Sequence, residues 1–167
     1  MSAAAAKKVT MGRVTIGVDH KGDHDVVSID GEMDDQATLS DLVSQLGQRV
    51  VVDLGAVRFI NSVGVREWII FLRSMAEQGA KVVLRNCSEP MVHQMNMVVE
   101  ARGQATVESF YAPYLCDSCA SERSVCLDVA GHREQFAAHK MPSQTCVECG
   151  GEMIFDDFPA RYLLFLD

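Results

Sequence analysis

Two cysteine pairs carry the plainest chemistry in the chain. Cys116 and Cys119 (CDSC) and Cys146 and Cys149 (CVECGG) form two C-x-x-C knuckles separated by 26 residues. Two intervening residues let both thiolates of a knuckle face one ion, and two knuckles supply the four sulfurs of a tetrahedral structural zinc site. The chain opens with MSAAAAKKVT, small residues before two lysines, the reverse of a secretory leader's order. The expectation is therefore a cytoplasmic protein, in which clustered cysteines bind metal rather than form disulfides. Redox-active thiols and an iron–sulfur cluster are the rival uses of the same residues. A site with four protein ligands has no open position, so the zinc is expected to hold structure and not to catalyse. Cys126 is expected as a small buried side chain in a strand, and His132 and His139 on an exposed loop.

The second candidate is Ser62, in the stretch RFINSVGVREWIIF at residues 58–71. It lies where an apolar segment turns into a helix, so its hydroxyl can cap a free backbone N–H. The same place tolerates a phosphate, whose charge suits the helix's positive end. Gly64 is read as keeping the turn bare for a modifying enzyme. The chain has no G-x-S-x-G, no H-E-x-x-H and no Gly-rich phosphate loop with its lysine. A non-enzymatic protein is the expectation.

The elements that must position these residues follow from periodicity. Val14, Ile16 and Val18 alternate as a strand does, a polar turn covers residues 21–25, and residues 26–29 complete a hairpin. Leu39, Leu42, Val43 and Leu46 have helical spacing within residues 34–48, with Asp34 and Asp35 at the helix start. Residues 50–54 read as a strand buried on both faces. A helix follows at 62–78, with Val65, Trp68, Ile69, Leu72, Met75 and Ala76 inward and Gly79 ending it. A strand at 81–86, a helix at 89–99 capped by Ser88, and a strand at 105–110 complete the order β-β-α-β-α-β-α-β. That alternation predicts an α/β fold with a mixed, mostly parallel sheet and flanking helices. The predicted organisation is a disordered tail at 1–12, an α/β domain at 13–110 and a small zinc-ribbon module at 111–167. In the module, strands in RSVCLDV and EMIFDDF flank an inserted loop around AGHREQFAAHK.

Charge narrows the partners. The formal charge is −8, and residues 111–167 carry nine acidic against four basic side chains. Such a field repels phosphate backbones, so a zinc-ribbon nucleic-acid adaptor is the least favoured class. No stretch approaches the roughly 18 apolar residues of a membrane span, so no membrane partner is expected.

Three segments, VVSIDGEMD (26–34), VVVDLGAVRFINSVGV (50–65) and GAKVVLRNCSEPM (79–91), resemble in order the STAS domain of anti-sigma-factor antagonists. The resemblance implies the mixed sheet already derived and a protein-binding switch without catalysis of its own. It places Ser62 at the family's phosphorylated position, Gly64 at its glycine, and Asp34 at an acidic position beside the site. The implied partner is a regulatory protein of the anti-sigma-factor, serine-kinase type, contacted through Asp34, Asn61, Ser62, Val63 and Gly64. Asn61 stands where the family pattern has Asp, and Val63 where it has Ser or Thr. A signalling adaptor with a Ser62 phosphorylation switch is the leading expectation. A constitutive scaffold is its alternative, and self-association is compatible with both.

Overall fold

The computed structural model describes residues 7–167. β1 (Lys7–Met11) pairs antiparallel with β2 (Val14–His20), turning through Gly12 at φ 58°. This corrects the expected disorder over residues 7–11; residues 1–6 of that tail lie outside the described residues. Every β1 residue but Met11 is exposed. Backbone bonds to β2 hold it rather than burial, which is why KKVTM carries no hydrophobic signal. Its lysines suit a sheet edge.

β2 pairs antiparallel with β3 (Asp25–Met33), which runs parallel to β4 (Arg49–Ile60). α1 (Ser62–Glu77), β5 (Lys81–Arg85), α2 (Glu89–Met97) and β6 (Thr106–Val107) follow, giving a six-stranded sheet in the order β1-β2-β3-β4-β5-β6. The pairings from β3 to β6 are all parallel. The protein is thus a mixed α/β fold with a mainly parallel sheet and flanking helices. Trp68, Phe71 and Met75 of α1 are buried in the same core as Ile29, Leu54 and Leu84 of the sheet. Each such side chain contributes roughly 1.5–3 kcal/mol when taken out of water. The Trp68 indole N–H donates to the Ala101 carbonyl at 2.7 Å, so its polar edge is satisfied inside.

The helix expected over 34–48 is not there. Residues 40–45 form a single 3-10 segment, and the chain before it is a turn. The Asp34 carboxylate accepts the Gln36 N–H at 3.0 Å, and Ala37 N–H bonds back to Asp34 O. That local side-chain bond competes with helix formation. Leu39, Leu42 and Leu46 are buried as their spacing demanded, but from a tighter coil.

A second sheet, in the order β8-β7-β10-β9, is built from β7 (Ser109–Cys116), β8 (Glu122–Asp128), β9 (Gln144–Thr145) and β10 (Glu152–Phe155). β8 and β10 are the two strands expected in RSVCLDV and EMIFDDF. Between β8 and β9 lies α3 (Arg133–Ala137), and α4 (Pro159–Tyr162) follows β10. The expected boundary near 110 falls inside β7, so the two sheets do not separate there. Phe110 packs on Phe136, Tyr162 and Phe165, with ring centroids 5.1–6.3 Å apart. Asn96 of α2 donates to Tyr162 O at 2.9 Å and accepts Phe165 N–H at 2.8 Å. The C-terminal residues therefore complete the core of the α/β body.

Candidate functional site: a four-cysteine cluster and the Ser62 surface

The four knuckle cysteines come together. Each offers a sulfur, and all four sulfurs lie within 4.8 Å of one another. Cys116 Sγ is 3.5 Å from Cys149 Sγ, and Cys119 Sγ is 3.7 Å from Cys146 Sγ. A disulfide needs about 2.05 Å, and all four cysteines are free. A metal–sulfur bond of about 2.3 Å in a tetrahedron gives sulfur–sulfur edges of about 3.8 Å. The cluster therefore has the dimensions of a tetrahedral thiolate site and can hold a metal ion.

The two knuckles are built alike. Cys116 N–H bonds to Ser121 O at 2.9 Å and Ala120 N–H to Cys116 O at 3.0 Å. In the second knuckle Cys146 N–H bonds to Gly151 O at 2.8 Å and Gly150 N–H to Cys146 O at 2.9 Å. Both turns require a left-handed residue after the second cysteine: Gly150 at φ 75° and Ala120 at φ 57°. Only one knuckle has the glycine that this conformation favours. A Cβ on Gly151 would lie 2.6 Å from Ser118 Oγ, so the knuckles press on each other there.

Backbone N–H groups pointing at the sulfurs also prepare them for ionisation. The Cys119 N–H is the largest influence holding the Cys116 thiol down to about 7. The Ser121 N–H pulls Cys119 the same way, but Cys149 and Cys116 more than offset it and push that thiol up to about 12. Four sulfurs this close cannot all carry charge without a cation between them.

The other candidate ligands stay apart from this cluster. His132 Nδ1 lies 2.9 Å from Asp128 O and its ring stacks on Phe136; His139 is exposed at φ 51°. Cys126 was expected to be buried but is exposed, with its thiol 3.5 Å from Asn86 Oδ1. Strand alternation puts Leu127 inward and Cys126 outward. Of the two cysteines outside the cluster, Cys87 is buried, and burial pushes its thiol up to about 12.

The Ser62 surface forms where β3 and β4 end together. Met33 pairs with Ile60, which brings Asp34 beside Asn61, and Asn61 N–H bonds to Met33 O at 3.1 Å. The five residues predicted from sequence are thus gathered at the carboxyl ends of two parallel strands, where α/β folds present ligand and partner sites. Their individual roles differ from those expected. Asn61, not Ser62, caps α1: its side-chain oxygen accepts Gly64 N–H at 2.8 Å. Ser62 is the first helical residue and is exposed. Gly64 is buried, and a Cβ there would lie 2.2 Å from the Met33 carbonyl oxygen. Its role is the close approach of α1 to β3, not access to the hydroxyl. Asp34 is half-buried and begins a turn rather than a helix. Phe59, 51% exposed, and Val63, 39% exposed, frame Ser62 with apolar surface.

Comparison with protein-family models and with curated proteins found no match. Among the described residues, no helix is long and apolar enough to cross a membrane.

Sequence reasoning missed two features. One is a polar network below the Ser62 end of the sheet: Asn86, at φ 54°, donates to Asp53 Oδ2 at 2.9 Å and accepts from Ser109 Oγ at 3.2 Å. No spacing signals it, because its members come from β4, from the bend after β5 and from β7. The other is a groove beside α1; of its lining, the periodicity assigns only Val65 and Ile69, and assigns them to the core.

Proposed function

We propose that the protein is a non-enzymatic signalling adaptor of the STAS type, which binds a regulatory protein through the surface around Ser62. The four cysteines hold a structural zinc ion that fixes the second sheet. The observation that carries this is the division of labour at the start of α1. Asn61 takes the capping role, which leaves the Ser62 hydroxyl exposed and free of a structural duty. Its position at the first turn lets a phosphate meet unpaired N–H groups without disturbing the helix. The reading is supported by the mixed sheet with flanking helices, the architecture that the resemblance of residues 26–91 implies. Thiolate-only coordination and tetrahedral dimensions favour zinc over harder cations.

In this mechanism the unmodified serine lies in the contact surface with Asp34, Val63 and Phe59. Phosphorylation places about two negative charges in that interface and breaks the complex by desolvation and repulsion from acidic partner groups. A photo-crosslinking residue at Val63 captures the partner in the protein's own cells, and intact mass reports phosphate and zinc together. Ser62→Asp is expected to weaken binding of the captured partner about tenfold or more, with Ser62→Ala binding as wild type does. Equal binding by all three, with no phosphate on the cellular protein, identifies a constitutive scaffold instead.

A further inference from the structure

The face of α1 that begins at Ser62 continues into a groove of about 660 Å³ beside the end of α2. Its apolar lining comes from Val65, Ile69 and Ile70 of α1 and from Met97 and Val98. Met97 is 75% exposed, although Met91 and Met95 of the same helix are buried. A single exposed methionine is ordinary, but a concave run of aliphatic side chains marks an interaction site. A flexible, polarisable thioether suits the adaptable part of such a site.

The charges around the groove are of one sign. Arg66 and Arg73 line it, and no carboxylate does. Among the described residues neither arginine makes an ion pair; Arg102, Arg123 and Arg133 share this, whereas Arg13, Arg49, Arg58, Arg85 and Arg161 each pair with an aspartate or glutamate. Seven residues apart, the two guanidinium groups start from points about 10 Å apart along the helix. A protein of net charge −8 thus keeps two unneutralised cations beside its apolar groove.

We infer that this groove docks an acidic amphipathic helix of another protein, with apolar residues on Ile69, Ile70 and Met97 and carboxylates on Arg66 and Arg73. Apolar anchors at helical spacing are how a helix fills a groove, and the arginine fork matches a carboxylate in two bonds. A second copy of this chain is a poorer occupant. A two-fold contact sets the same patch against itself, and the arginines would face arginines. An anionic membrane is opposed by the net charge of the whole chain. The inference rests on the proposed role only in that this side of the molecule meets a protein. It does not require Ser62 to be phosphorylated. Ser62 nevertheless lines the same groove one turn before Arg66, so a phosphate there would neutralise the cation nearest to it.

The test pans a phage-displayed library of random peptides, each about 16 residues or four helical turns long, against the full zinc-loaded chain. Enriched peptides are resynthesised and titrated by fluorescence anisotropy against wild type, Arg66→Glu/Arg73→Glu and Met97→Glu. These positions are exposed, and circular dichroism with zinc content verifies each fold; Arg66→Gln/Arg73→Gln replaces any variant that fails. The expected peptides carry Asp or Glu beside apolar residues spaced three and four apart. Their affinity falls with salt, and drops about tenfold or more in the arginine and methionine variants. No enrichment, neutral or basic peptides, or binding indifferent to the arginine variants overturns the inference. So does self-association abolished by Met97→Glu in sedimentation, or flotation with phosphatidylglycerol vesicles abolished by the arginine variants. Failure here leaves the Val63 crosslinking result standing, because Val63, unlike Ser62, is not among the residues that line the groove.

Discussion

The Asn61 side-chain oxygen accepts the Gly64 backbone N–H at 2.8 Å, so the cap of α1 is made one residue before Ser62. An asparagine at the N-cap is among the best residues for that position, and its loss to alanine costs about 1 kcal/mol. A serine at the first helical position makes no comparable contribution. Asn61→Ala is therefore expected to lower unfolding stability in urea by about 1 kcal/mol. Ser62→Ala should stay within about 0.5 kcal/mol of wild type. A larger loss for Ser62→Ala than for Asn61→Ala would return the capping role to Ser62.

The same junction explains which parts of the fold were legible. In β4 the buried residues are Val50, Val52, Leu54, Val57 and Ile60, with spacing that stretches from two to three after Leu54. The two register shifts against β3 account for that stretch. Each bulge adds a residue and resets which face points inward, so only residues 50–54 kept a strand's period in sequence. α1 was read almost as found because sixteen residues share one inward stripe and one cap. The cysteine cluster was legible because its ligands come in two local pairs. The groove was not, since a third of its lining, Gln94, Met97 and Val98, depends on how α2 is set against α1. The supposed boundary at residue 110 failed for a related reason. A change in composition marks where the chemistry of the chain changes, but Phe110, Tyr162 and Phe165 pack as one cluster across it.

That shared core alters what metal removal should do. The cysteine knuckles anchor β9 and β10, whereas Tyr162 and Phe165 are held by α2 and Phe110. Chelation, or Cys119→Ser, is expected to abolish protection of the β9 and β10 amides in hydrogen exchange while α2 and α4 stay protected. Loss of protection throughout residues 109–167 would show that the metal holds the whole C-terminal part, as its small size alone would suggest.

Ala120 occupies the left-handed turn position that Gly150 fills in the matching knuckle. An alanine there is strained by about 1 kcal/mol, an amount glycine largely avoids even after its greater loss of chain entropy. Ala120→Gly is expected to stabilise the metal-loaded protein by about 0.5–1 kcal/mol in thermal or urea unfolding. The corresponding Gly150→Ala should destabilise it by a similar or larger amount. A destabilised Ala120→Gly protein would mean that the Ala120 methyl makes a contact worth more than the strain.

Asp25 ties the hairpin end of β3 to the start of β4. It is 8% exposed, and its carboxylate accepts Gly47 N–H at 2.6 Å and lies 2.5 Å from His20 Nδ1. Burial alone would raise its pKa, but the Gly47 N–H and the His20 imidazole more than offset this and hold it below the ordinary carboxylate value. A carboxylate depressed in the folded state contributes stability that is fully present above its unfolded pKa, about 3.9, and is lost as pH falls through the lower folded value. Asp25→Asn keeps the shape but weakens the acceptor, so it is expected to cost about 1–2 kcal/mol at neutral pH. The difference between wild type and Asp25→Asn should shrink as pH falls below about 4, measured by urea unfolding at a series of pH values. A difference that stays constant down to the acid limit would show that the Asp25 charge contributes nothing to the pairing of β3 with β4.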